Sequence, residues 1–216
     1  MRKAIMILCL LWSQSAMAGA WMQEHKQGFL SYSTVYDDTG RLDGTIYLEY
    51  GLRPKLTFGA KVDVDMTSGQ VGDGTAFVFA RKPIPTGDRA FKLAYDFGVG
   101  STFGGETDPI LRAGFSYGRG IKAWDKHGWL AIDAAAEWTI DDTPDTYKLD
   151  TTLGLALSDR FKVMMQVFVS ETGGDVTTTL APSLIWQPRP KAPSFVIGIE
   201  GEDGTFALKL GMWRSF

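Results

Sequence analysis

The chain of 216 residues has one cysteine, Cys9, and two histidines, His25 and His127. Cys9 lies within the first twenty residues, so the chain beyond them offers neither a disulfide nor a thiolate metal site. Two histidines, one before the first patterned segment and one in an expected turn, leave little for metal or acid–base chemistry. Both read as solvated turn residues. Long apolar runs are also missing. After the N-terminal segment none reaches the ~18 residues that a spanning helix needs. Nor is there a linker, a charge block, a low-complexity tract or a phosphate-cradling loop. "GVGSTFGG" is glycine-rich, but it ends a strand with no helix behind it.

What is present begins with "MRKAIMILCLLWSQSAMAGA": Arg2 and Lys3, an apolar run from Ala4 to Trp12, then small residues. This is the pattern of a secretory signal peptide, too short for a membrane anchor. Ala16-Met17-Ala18 fits a cleavage site, giving a leader of residues 1–18, and Ala18-Gly19-Ala20 is a second option, with the cut after residue 20. Residues 19–216 then form a single domain. Losing Arg2 and Lys3 takes the formal net charge from −3 to −5, which argues against a nucleic-acid partner.

Beyond the leader, apolar and polar residues alternate with a period of two, the signature of strands with two unlike faces. Twelve strands are expected, at 27–36, 43–52, 55–66, 74–82, 89–100, 109–120, 127–140, 146–157, 161–171, 175–187, 194–202 and 205–216. Most have the length of a tilted strand crossing a bilayer. Turn chemistry separates them, as at Asp37-Asp38-Thr39-Gly40, Pro85-Thr86-Gly87-Asp88, Asp141 to Asp145, Gly173-Gly174-Asp175 and Asp203-Gly204. In the fifth strand Phe91, Leu93, Tyr95, Phe97 and Val99 oppose Lys92, Ala94, Asp96, Gly98 and Gly100. In the ninth, Phe161, Val163, Met165, Val167 and Val169 oppose Lys162, Met164, Gln166, Phe168 and Ser170. The strand at 74–82 is ambiguous, because Phe77 and Val78 claim both faces.

Alternation alone does not say which face points inward. A twelve-stranded closed barrel is too wide to fill with apolar side chains. Aromatics at Tyr36, Tyr50, Phe97, Tyr117, Trp138, Tyr147, Trp186 and Phe216 fall near strand ends, where membrane girdles lie. The apolar face is therefore expected outside, against lipid, in an all-β, closed, antiparallel up-and-down transmembrane barrel. Its lumen would be lined by Lys61, Lys92, Arg112, Lys148, Lys162 and Lys209, and by Glu49, Asp63, Asp65, Asp96, Asp133, Glu137, Asp150, Glu200 and Glu202. Mutual pairing of these charges is one reading. A permeation path with slight cation preference is the other, since acidic rings favour cations. Asp63, Asp65, Glu200 and Glu202 are expected toward one mouth. Asp-x-Asp and Glu-x-Glu alone do not make a metal site.

The chain closes on "FALKLGMWRSF". Phe206, Leu208, Leu210, Met212, Arg214 and Phe216 share one face, with Arg214 its only breach. The terminal phenylalanine and the apolar positions Leu208, Leu210 and Met212 resemble the C-terminal assembly signal of Gram-negative outer-membrane β-barrel proteins; Arg214 departs from that pattern. The resemblance implies a small porin-like barrel, export to the outer membrane, contact with its lipid, and a last strand read by the barrel-assembly machinery. It implies no cofactor. Three functions are compatible with it: passive passage of small solutes, a structural or accessory barrel with a plugged lumen, and an outer-membrane hydrolase. The third lacks a histidine beside a serine at the outer rim. No catalytic residue is expected.

Overall fold

The structure is a computed structural model that describes residues 19–66, 72–105, 107–140 and 144–216. The leader and part of the expected turn at Asp141 to Asp145 lie outside the described residues. The strands are β1 Gly28–Asp37, β2 Leu42–Arg53, β3 Leu56–Asp65, β4 Gly74–Ile84, β5 Phe91–Phe103 and β6 Pro109–Ala123. They continue as β7 Lys126–Thr139, β8 Thr146–Ala156, β9 Phe161–Thr172, β10 Asp175–Trp186, β11 Ser194–Glu202 and β12 Thr205–Ser215. Each pairs antiparallel with its neighbours in the chain, and β12 pairs with β1 to close the barrel.

Closure answers a physical need. An unpaired backbone group facing hydrocarbon costs several kcal/mol, so a spanning sheet can have no free edge. At the seam the Gly28 amide donates to the Phe216 carbonyl at 2.7 Å, and the Phe216 amide donates to the Gly28 carbonyl at 3.0 Å. The Phe216 ring covers Gly28, where any Cβ would collide with it. Phe216 and Gly28 thus close the seam between β12 and β1.

The apolar face points outward. Leu153, Met165, Ile197, Leu208 and Leu210 are exposed on the exterior, while Ala131, Ala181 and Ser183 of neighbouring parity are buried. In water such a surface would be a liability; against lipid it is the solvated face. At the Phe216 end, Tyr50, Trp186, Phe195 and Phe216 stand outward, with Trp186 and Phe195 packed 5.7 Å apart. At the far end Tyr36, Trp138, Tyr147 and Phe206 do the same. Two expected girdle residues differ. Phe97 sits at the middle of β5, which extends to Phe103, and Tyr117 is half-buried by stacking on Phe91 at 5.7 Å.

Two local features interrupt the regular ladders. The β6–β7 turn is only Trp124-Asp125, with φ of 46° and 60°. Two successive left-handed residues are what a two-residue turn of matching twist requires. His127 therefore lies within β7, opposite Lys122, rather than in a turn. In the β10–β11 ladder the register skips from Leu180↔Gly201 to Ser183↔Gly198. Pro182 lies in the gap and has no N–H to give.

Candidate functional site

The lumen holds a cavity of about 1050 Å³. It runs from Arg41, Asp73 and Gly105 beside the far-end turns down to Phe29, Trp129 and Trp213, nearer Phe216. Among the described residues, nine carboxylates and six cations line it.

A ladder of alternating charge crosses one side of the interior. Glu49 of β2 pairs with Arg81 of β4, and Arg81 with Asp96 of β5 at 3.2 Å. Asp96 meets Arg112 of β6 at 3.4 Å, Arg112 meets Glu137 of β7 at 2.9 Å, and Glu137 meets Lys148 of β8 at 2.7 Å. Two of these contacts follow from register, since Arg81 opposes Asp96 and Arg112 opposes Glu137 across their ladders. The first spans β3, where Gly59 stands between Glu49 and Phe79 and leaves room. Arg81 also lies over the Phe79 ring at 4.9 Å, and Arg112 over Phe77 at 5.1 Å. Glu49 is 0% exposed and Asp96 1%. Glu49 accepts further bonds from the Tyr47 hydroxyl at 2.5 Å and the Gln23 amide at 2.8 Å. Buried charge is tolerated only when its lone pairs are met in this way.

The other expected residues fall into smaller groups. Toward the far mouth Lys61 pairs with Asp63 at 2.7 Å, and Arg41 bridges Asp43 at 3.1 Å and Asp65 at 3.7 Å. Across the lumen Lys209 pairs with Glu200 at 2.7 Å and reaches Gln166 at 3.3 Å. Asp133 accepts a bond from Ser116 at 2.5 Å and faces Asp150 across the β7–β8 ladder. Five expected residues do not line the cavity itself. Glu49 and Asp96 are sealed beneath it in the charge ladder. Lys92 and Lys162 begin β5 and β9 at the Phe216 end, and Glu202 bonds Thr179 at the far rim. Among the described residues no group of three or more His, Cys, Asp or Glu is placed to hold a metal ion.

The cavity has an apolar floor that polar-face reasoning does not anticipate. Trp129, Met164, Ile185 and Val196 form a buried cluster, with Trp21 and Trp213 packed against it. Trp21 belongs to a segment, Gly19 to Gln27, that enters the lumen before β1. Its ring rests on Gly118, where a Cβ would strike it. Ala20 is buried, the Gln23 amide N–H donates to Thr57 Oγ1 at 3.1 Å, and the Lys26 amide donates to the Gly51 carbonyl at 2.8 Å. The segment thus lies inside the lumen toward the Phe216 end.

No family model and no curated protein sequence matches the chain. Solved structures do resemble it. The KdgM porin superposes with a TM-score of 0.66 at 10% identity, over 87% of this chain and 99% of that one. It has also been solved in complex with disordered oligogalacturonate, with a TM-score of 0.67 at 10% identity and the same coverage. The COG4313 outer membrane channel from Pseudomonas putida F1 gives 0.58 at 12% identity, over 94% and 100%. The NanC porin gives 0.58 at 11%, over 85% and 98%. The fold is that of porin-like twelve-stranded barrels.

Proposed function

We propose that the chain is an outer-membrane channel of a Gram-negative bacterium through which small solutes pass passively. The observation that carries this reading is the charged cavity of about 1050 Å³ inside a closed wall with an apolar exterior. A wall of this kind has hydrocarbon as its outer solvent. The cavity's excess of carboxylates favours cations over anions. The porins of similar fold support the same reading, although the acidic lining here suits a different solute from the polyanion found with the KdgM porin.

The barrel acts without catalysis in this reading. His25 precedes β1 and His127 begins β7, both at the Phe216 end and neither lining the cavity. Export would use the leader at residues 1–18. Assembly would use the last strand, whose Leu208 and Leu210 face outward and whose Phe216 is bound to Gly28. The start of β1 and the end of β12 share one rim, as an even strand count requires, and in this reading that rim faces the periplasm.

Purified barrel in a planar bilayer tests the proposal. Stepwise conductance is expected, with a reversal potential of cation-selective sign under a potassium chloride gradient. A barrel that is folded by heat-modifiable gel migration, yet silent, would overturn the channel reading in favour of a plugged accessory barrel.

A further inference from the structure

We propose that the mature chain begins at Gly19 and that its free α-ammonium occupies a site inside the barrel, paired with Asp133. The inference rests on the export reading for the existence of a leader.

Gly19 lines the cavity. Its main chain is pressed against the Asp133 carboxylate: a Cβ on Gly19 would collide with Oδ1 and lie 3.0 Å from Cγ and Oδ2. Its φ of 92° is also one that side chains rarely adopt, so glycine is the residue that fits. The segment behind it is fixed by the Trp21 ring on Gly118 and by the two bonds from Gln23 to Thr57 and Glu49. Where Gly19 sits is therefore set by the wall.

Among the described acids of the lumen wall, Asp133 lacks a cation in direct contact. Glu49, Asp96, Glu137 and Glu200 each have a basic partner. Asp133 has only the Ser116 hydroxyl, and the residue opposite it is another acid, Asp150. Neither makes an ion pair among the described residues. A carboxylate has about four lone-pair sites to satisfy; Lys61, Lys148 and Arg112 attract Asp150 and Arg81 attracts Asp133, but none of them bonds Asp133 directly. Hydrolysis of the Ala18–Gly19 peptide bond supplies a cation beside Asp133. Water adds across the bond, leaving a carboxylate on Ala18 and an ammonium on Gly19. A cut after Ala20 would instead discard Gly19 and put the new terminus on Trp21, leaving Asp133 without a close cation.

The test uses the protein exported with its own leader and purified from membranes. Intact mass should correspond to residues 19–216. A water-soluble succinimidyl ester should acylate the α-amine at least about tenfold more slowly in the native barrel than in the same chain unfolded in urea, the size expected of a charge-assisted bond. Exposed Lys55 should show no such difference. Asp133→Asn should bring the α-amine rate close to the unfolded value, while Asp150→Asn should leave it slow. Asp133→Thr replaces Asp133→Asn if the amide variant does not assemble. An uncleaved mass would sink the export reading and this one together. A mature mass beginning elsewhere, equal native and unfolded rates, or protection that survives loss of the Asp133 carboxylate would sink this inference alone. Labelling requires no conductance, so a silent barrel leaves the test intact.

Discussion

Replacing Arg81 with methionine would remove the cation that ties Glu49 to Asp96. The three side chains are 5%, 0% and 1% exposed, so the two acids would be left in a dry layer. Breaking a buried pair by removing one partner costs about 3–5 kcal/mol. Here the acids retain some support. Glu49 keeps the Tyr47 hydroxyl and the Gln23 amide, and Asp96 keeps Arg112 at 3.4 Å. The loss should therefore fall near the lower bound, about 3 kcal/mol. Glu49→Gln in the same chain removes one stranded charge, so the double variant should be more stable than the sum of single effects by at least about 1 kcal/mol. Urea unfolding in lipid vesicles, followed by fluorescence of Trp21, Trp129 and Trp213 in the floor, measures both quantities. A loss below about 1 kcal/mol for Arg81→Met, or strict additivity with Glu49→Gln, would refute the claim that this ladder holds the interior together.

Three further outcomes are expected. Asp63→Lys with Asp65→Lys reverses two charges at the far mouth and should move the reversal potential toward anion selectivity, with the barrel's gel migration unchanged. Trp21→Ala removes the ring that rests on Gly118; it should raise single-channel conductance and lower stability by about 3–5 kcal/mol, read by bilayer recording and urea unfolding. Gly154→Val places a branched side chain where the Trp129 ring lies, so it should displace that ring from the floor cluster and red-shift its emission, whereas Gly120→Val, with open space around it, should not.

Much of the wall is legible in the sequence because lipid and lumen impose opposite chemistry on alternate residues. The expected strands differ from the observed ones by at most three residues at any end. The outward direction of Leu153, Leu208 and Leu210 follows from the same alternation. The interior is less legible, because its packing depends on partners several strands away. Phe77 and Val78 look equivalent within β4. Phe77 turns inward where Gly100 makes room beside it, and Phe79 does so over Gly59 and Gly98. A single strand does not reveal which neighbours are glycines. Once Phe77 and Phe79 point inward, Arg81 must follow, and the central cation of the charge ladder is the residue that sequence parity leaves out. Trp129 and Met164 do fall on the polar parity, yet their neighbours conceal the floor they build. The lumenal course of Gly19 to Gln27 has no periodic signal at all. Its anchors, Gly118, Thr57, Glu49 and Gly51, are distributed over three strands, β2, β3 and β6, at a distance in sequence from "GAWMQEHKQ".

The gap at Pro182 gives this cylinder a preferred tear line. Nine paired positions join the first and last strands, whereas only six join β10 to β11. Mechanical or thermal rupture should begin along the proline-bearing junction, and the place where the two chain ends meet should be among the later joints to part.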